Sequence, residues 1–201
     1  WEKKKLMVLA KDVKAHLHEV ELIGQKGDTG LVNLDGEKTL DWKVLSGARL
    51  SDKNDEKPRR PYRIYLSTEG QFVEVKKKDI PVFFEVGVKE LTPSIVTSNK
   101  LRAKAGNGWN ILMRPPKSHK GSMLVNLYMF QEWCAFDIEV VFNNGEAVQF
   151  NVPALDPGVI HIPIEIPNTK VGKFYQIKIT ASKDTTGDFS MGLNAVHVEG
   201  R

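Results

Sequence analysis

FDIEVVFNNGEAVQFNV, Phe136 to Val152, is the stretch whose reading decides the fold. Phe136, Ile138, Val140 and Phe142 alternate with Asp137, Glu139 and Val141, and the return arm alternates Val148, Phe150 and Val152 with Gln149 and Asn151. Period-two alternation is the mark of a half-buried strand. A two-residue Asn144-Gly145 loop would pair Val140 with Gln149 and send the two apolar rows to opposite sides. A three-residue loop, Asn143-Asn144-Gly145, pairs Val140 with Val148, Ile138 with Phe150 and Phe136 with Val152, so the large apolar groups share one face. Such a loop is a type I turn followed by a left-handed residue, a conformation that glycine adopts without a Cβ clash. The stretch therefore predicts a hairpin closed at Gly145, with an apolar face buried and Asp137 and Glu139 in water.

The flanking sequence extends this pattern. Val159 to Ile166 alternates strictly, with Ile160, Ile162, Ile164 and Ile166 on one face. Pro163 lacks a backbone donor, so this strand is expected at an edge or with that position unpaired. Phe174 to Ser182 turns Tyr175, Ile177 and Ile179 inward, and Phe189 to Glu199 contributes Met191, Leu193, Val196 and Val198. Short strands separated by Gly, Pro, Asn and Asp predict an all-β protein, an antiparallel β-sandwich.

The N-terminal half is less regular. Lys5 to Lys14 reads as a strand or short helix, Glu19 to Ile23 as a strand, and Gly24 to Gly30 as a loop. Two further hairpins are expected, around Asp35-Gly36 (Leu31–Leu34 with Thr39–Leu45) and around Thr68-Glu69-Gly70 (Tyr62–Leu66 with Gln71–Val75). Ser51 to Pro61 carries no apolar residue and reads as a mobile loop, and Val82 to Val88 reads as a strand. Leu91-Thr92-Pro93-Ser94 marks a boundary between short, charge-dense strands and longer ones. A small β-rich domain over 1–92 and a sandwich over 95–201 follow, with one continuous domain as the alternative.

The 201 residues suffice for one large β domain or two small ones. No apolar run is long enough to span a bilayer, and no signal-peptide pattern is present. The chain opens on Trp1 and reads as trimmed or as part of something longer. Cys134 is the sole cysteine, which excludes an intrachain disulfide. Its neighbours Trp133, Ala135 and Phe136 mark it as a small buried hydrophobe. A net charge of +4 is carried by scattered clusters (Lys3-Lys4-Lys5, Lys57 with Arg59 and Arg60, Lys76-Lys77-Lys78, and Lys100 with Arg102 and Lys104). These lack the basic stripe and aromatic platforms of nucleic-acid binders.

Most chemical motifs reduce to turns and solvated charge. Asp28-Thr29-Gly30 matches the aspartic-protease triplet but follows polar Gln25-Lys26-Gly27 and has no second copy, so a plain turn is favoured. His16 and His18 share a strand face without a third metal ligand of matching spacing, and His119, His161 and His197 lie far apart in sequence. The Asp184/Asp188 loop lacks the ligand density that calcium requires. No phosphate loop, dinucleotide fingerprint or nucleophile elbow occurs. No enzyme, metal or cofactor is expected.

An aromatic group offers more. Trp109 lies among Gly106, Asn107, Gly108 and Asn110, with Arg114 downstream, and Tyr128, Phe130 and Trp133 follow. Sugars bind by stacking a ring face on an aromatic side chain while amide or guanidinium groups fix the hydroxyls. Asn107, Trp109, Asn110 and Arg114 form the candidate ligand site. Core packing is the favoured alternative for Trp109, and more so for Trp133.

With its hairpin FDIEVVFNNGEAVQFNV, the strand HIPIEIP, then FYQIKITAS and the closing GDFSMGLNAVHVEG, the region 95–200 resembles a galactose-binding-like (discoidin-type) jelly roll. The resemblance implies an eight-stranded sandwich and glycan binding through loops at one end. This family also provides structural and adhesion domains in enzymes, toxins and virus particles. Its two-cysteine staple is absent here. The GQKGDTG stretch resembles pieces of phage tail and fibre proteins. The expectation is a non-enzymatic carbohydrate-binding module, at an extracellular surface or on a virion, with a glycan ligand or self-association into a homo-oligomer. The alternative is a structural phage tail, neck or capsid-associated component.

Overall fold

A computed structural model describes residues 14–45, 53–54, 63–69, 73–74, 82–86, 89–91, 96–97, 108–115, 119–170, 172–183, 185 and 189–201. Its strands are β1 (His16–Leu17), β2 (Glu21–Gly24), β3 (Gly30–Asn33), β4 (Thr39–Leu45), β5 (Lys53–Asn54), β6 (Arg63–Glu69), β7 (Val73–Glu74), β8 (Val82–Val86) and β9 (Lys89–Leu91). The remainder are β10 (Val96–Thr97), β11 (Gly108–Arg114), β12 (Gly121–Glu132), β13 (Phe136–Val141), β14 (Ala147–Val152), β15 (Gly158–Thr169), β16 (Tyr175–Ala181) and β17 (Ser190–Gly200). Among the described residues there is no helix. The protein is all-β, and its two large sheets are antiparallel.

One large sheet runs β1-β15-β12-β17-β4-β5, with β2 also on β15, and the other runs β14-β13-β16-β11-β6. Between them lies a core with Ile160, Ile162, Ile164 and Ile166 of β15, Ile177 and Ile179 of β16, and Phe136, Ile138 and Val140 of β13. Burying each such side chain contributes about 1.5–3 kcal/mol. Near the sheet edges, the buried Lys43 of β4 donates from Nζ to the Ile64 carbonyl of β6 at 2.9 Å, which ties one sheet to the other.

The hairpin forms with the expected register: Val140 faces Val148, Ile138 faces Phe150 and Phe136 faces Val152. The Gly145 amide donates to the Phe142 carbonyl at 2.9 Å, and Gly145 has φ +84°. In β17 the inward set Met191, Leu193, Val196 and Val198 changes parity midway. A bulge at Asn194 accounts for this, because Leu193 and Ala195 face the successive residues Met129 and Tyr128.

Pro163 is not on an edge, since β15 lies between β12 and the β1/β2 pair. The Pro163 carbonyl accepts from the His18 amide at 2.9 Å, so its nitrogen faces the same side. There the neighbouring strand is broken: β1 ends at Leu17 and β2 starts at Glu21. The missing donor is accommodated by interrupting the partner strand.

Among the described residues the two other expected hairpins are not seen. At Asp35-Gly36 the chain leaves β3, which pairs in parallel with β8, and enters β4, which pairs with β17. Thr68 and Glu69 lie inside β6, which pairs with β11, while β7 pairs with β10. Turn residues permit a reversal, but the choice of partner depends on which sheet has an unfilled edge.

The sheet β3-β8-β9 forms a third layer. Val82 and Phe84 of β8 pack with Trp42, Val44, Tyr128, Phe130, Val159 and Ala195 from the outer face of the larger sheet. Phe84 meets Tyr128 edge-on, with centroids 5.3 Å apart. Both large sheets draw strands from either side of residues 92–95. β1, β2 and β4 complete one large sheet and β6 completes the other.

Candidate functional site

The residues singled out in the sequence do not converge on one point. Asn107 lies outside the described residues. The Trp109 ring is 1% exposed and packs between the sheets with Ile111 and Met113 of the same strand. It is a core residue, and its ring presents no face to a ligand. Strand alternation then places Asn110 and Arg114 on the opposite, outer face. Asn110 Oδ1 accepts from Gln176 Nε2 at 3.3 Å. Arg114, about 13 Å further along at ~3.3 Å per residue, lies over the Phe174 ring, 5.4 Å from its centroid.

Trp133, unlike Trp109, meets solvent. It is 58% exposed, in the short connection between β12 and β13. Its φ is +59°, a left-handed conformation unusual for a bulky side chain. The connection is held from both sides. The Ala135 carbonyl accepts from the Ser182 amide at 2.9 Å, and the Ala135 amide donates to Thr185 Oγ1 at 3.2 Å. Just before Trp133, the buried Gln131 donates from Nε2 to the carbonyls of Leu155 (2.8 Å) and Asp156. The β12–β13 and β16–β17 connections are thus bonded to each other, and the β14–β15 connection is bonded to the end of β12. Strained residues in over-determined surroundings cluster at functional sites.

The signal for this inversion was partly present in the sequence. Trp109 has the parity of Ile111 and Met113 and the opposite parity to Asn110 and Arg114. Trp133 gave no such hint, because apolar Cys134, Ala135 and Phe136 follow it and favour core packing.

On the outer face of the larger sheet, His161 stacks on Tyr128 and donates from Nε2 to the buried Asn126 at 2.8 Å. His18 and Arg201 both reach Glu165 Oε2, at 2.9 and 3.4 Å. Sheet pairing sets Asn126 opposite His197, so His161 and His197, remote in sequence, flank one amide. Burial lowers the His161 pKa against the opposing pull of Glu21 and Glu199. Burial raises the Tyr128 pKa, with Glu199 adding to the shift. The Cys134 thiol, fully buried, is pushed up to about 12 by burial, with Thr185 opposing. All three shifts arise chiefly from desolvation, which keeps these groups uncharged. Among the described residues no three His, Cys, Asp or Glu side chains gather as a metal set; the Asp184/Asp188 loop lies outside them. Gln25 and Asp28 exchange backbone bonds of 2.8 and 2.9 Å around Lys26-Gly27, so Asp28 closes a tight turn and Gly30 begins β3.

No protein-family model matches the chain, and no curated protein matches it. Among solved structures, it is similar to a carbohydrate-binding module, CBM35 from Cellvibrio japonicus Abf62, with 12% identity, 69% of this chain and 94% of that chain covered, and a TM-score of 0.41. It is also similar to TmCBM61 in complex with beta-1,4-galactotriose (13% identity, 70% and 89% covered, TM-score 0.40). A third is the arabinose-bound MgGH51 α-L-arabinofuranosidase (8% identity, 93% of this chain and 32% of that chain, TM-score 0.38).

Proposed function

We propose that this chain is a non-enzymatic carbohydrate-binding module that holds its ligand at the end of the sandwich bearing Trp133. The observation that carries the reading is the exposed indole of Trp133, fixed by a left-handed backbone on a connection bonded to its neighbours. A rigid ring offers a pyranose apolar contact at little entropic cost, and surrounding polar groups orient the hydroxyls. The polar groups within reach in sequence and bonding are the exposed Asp156 and Lys183 and the half-buried Thr185. The raised Cys134 pKa fits this reading, since a thiol held protonated is a poor nucleophile.

A glycan-array screen of the wild type against Trp133→Ala tests the proposal. Binding by the wild type, weakened in the variant by about 2 kcal/mol or more, supports it. Equal binding by the two proteins removes Trp133 from the site, and binding by neither removes the carbohydrate reading.

A further inference from the structure

We infer that the outer face of the five-stranded sheet is a second, separate binding surface, for an extended neutral polysaccharide chain. A groove of about 410 Å³ opens on this face, lined by Asp137, Glu139, Gln149, Asn151, Lys178 and Thr180. Sheet register makes this an ordered array. Gln149, Glu139, Lys178, Asn110 and Ser67 are successive partners across all five strands. At a strand spacing of ~4.8 Å this row is about 19 Å long. The adjacent row toward β6 holds Gln176, Leu112 and Tyr65, and Tyr65 is 47% exposed.

The chemistry of the face selects the ligand class. Asp137 and Glu139 against Lys178 and Arg114 leave it without net charge, which gives neither a polyanion nor a polycation an electrostatic advantage. An apolar peptide would desolvate the amides and carboxylates without bonding them. A hydroxyl-rich chain fits both features: its hydroxyls pair with amides and carboxylates, and its ring faces cover Tyr65 and Leu112. The polar groups are already held in place. Asn151 Nδ2 donates to Asp137 Oδ1 at 2.9 Å, Lys178 Nζ lies 3.4 Å from Glu139 Oε2, and Gln176 donates to Asn110. A carboxylate or amide oxygen accepting one such bond keeps capacity for another. Binding therefore orders few side chains, and that entropic cost is what otherwise weakens polar surfaces. Asn110 belongs to this face rather than to the loop end.

Titration of ¹⁵N-labelled protein with neutral hexasaccharides (cello-, xylo-, manno- and β-1,4-galactohexaose) tests this surface and the loop end separately. Saturable shifts in the side-chain amides of Asn110, Gln149 and Asn151 with at least one sugar are expected. An Asn110→Ala/Gln149→Ala double variant should weaken that response about tenfold, the loss of roughly two net hydrogen bonds. Tyr65→Ala should weaken it while leaving the melting temperature unchanged. Movement of the Trp133 indole alone overturns the inference and leaves the loop-end reading standing. Movement of the face amides alone does the reverse. Shifts produced only by a heparin-derived hexasaccharide, or by none of the sugars, overturn it.

Discussion

The His161 ring lies flat on Tyr128, with centroids 5.0 Å apart and planes 12° from parallel. The pair shares the row that continues to Glu21 of β2 on one side and Ala195 of β17 on the other. Burial holds the imidazole below its usual pKa, although Glu21 and Glu199 both favour its protonated form. The folded state therefore prefers neutral His161, whereas the unfolded chain takes up a proton near pH 6.5. This contribution to stability is present above pH 6.5 and is lost as pH falls through the lower, folded value. The melting temperature should drop between pH 7.5 and 5, and His161→Gln should make that drop shallower. An unchanged pH slope in the variant would assign the effect to other groups.

The two tryptophans should respond in opposite ways. Trp109→Ala opens the inter-sheet core and should cost about 3–5 kcal/mol in chemical denaturation. Trp133→Gly removes an exposed ring and relieves a left-handed backbone that costs about 1–2 kcal/mol for a non-glycine residue. It should leave stability equal or higher and weaken glycan binding at the loop end. A protein that tolerates Trp109→Ala but unfolds with Trp133→Gly would reverse the assignment.

At Gly145 the space is open and the backbone is not. A Cβ there meets nothing within 4 Å, yet φ is +84°. Gly145→Ala should cost about 1–2 kcal/mol, or about 2–8 °C in melting temperature for a chain of this size. Gly145→Asn should recover part of the loss, because asparagine tolerates this region better.

Cys134 should be chemically silent in the fold. It is buried, its Sγ donates to the Ala135 carbonyl at 3.4 Å, and its pKa is pushed up to about 12. Little thiolate exists at pH 8, so a thiol reagent should label it only after denaturant is added. Rapid labelling of the native protein would contradict this packing.

The hairpin of residues 136–152 and the inward sets of β15, β16 and β17 were legible in the sequence because their information is local. Alternation fixes which side chains share a face, and a glycine at a left-handed position fixes a loop length. The same locality explains the failures. Asp35-Gly36 and Thr68-Glu69-Gly70 announce reversals, but strand choice is a competition among edges contributed from across the chain. β4 pairs with β17, about 150 residues further along, and β6 with β11, about 45 residues further along.

By itself, then, the sequence determined an all-β chain with an antiparallel sandwich and the parity of its later strands. Side-chain period and turn chemistry act over a few residues, and a linear reading captures them. Only the tertiary structure decided that the N-terminal strands belong to both large sheets, that a third layer lays Phe84 over Tyr128, and that Trp133 rather than Trp109 meets solvent. Those outcomes depend on which face of each strand is covered, and coverage comes from segments distant along the chain.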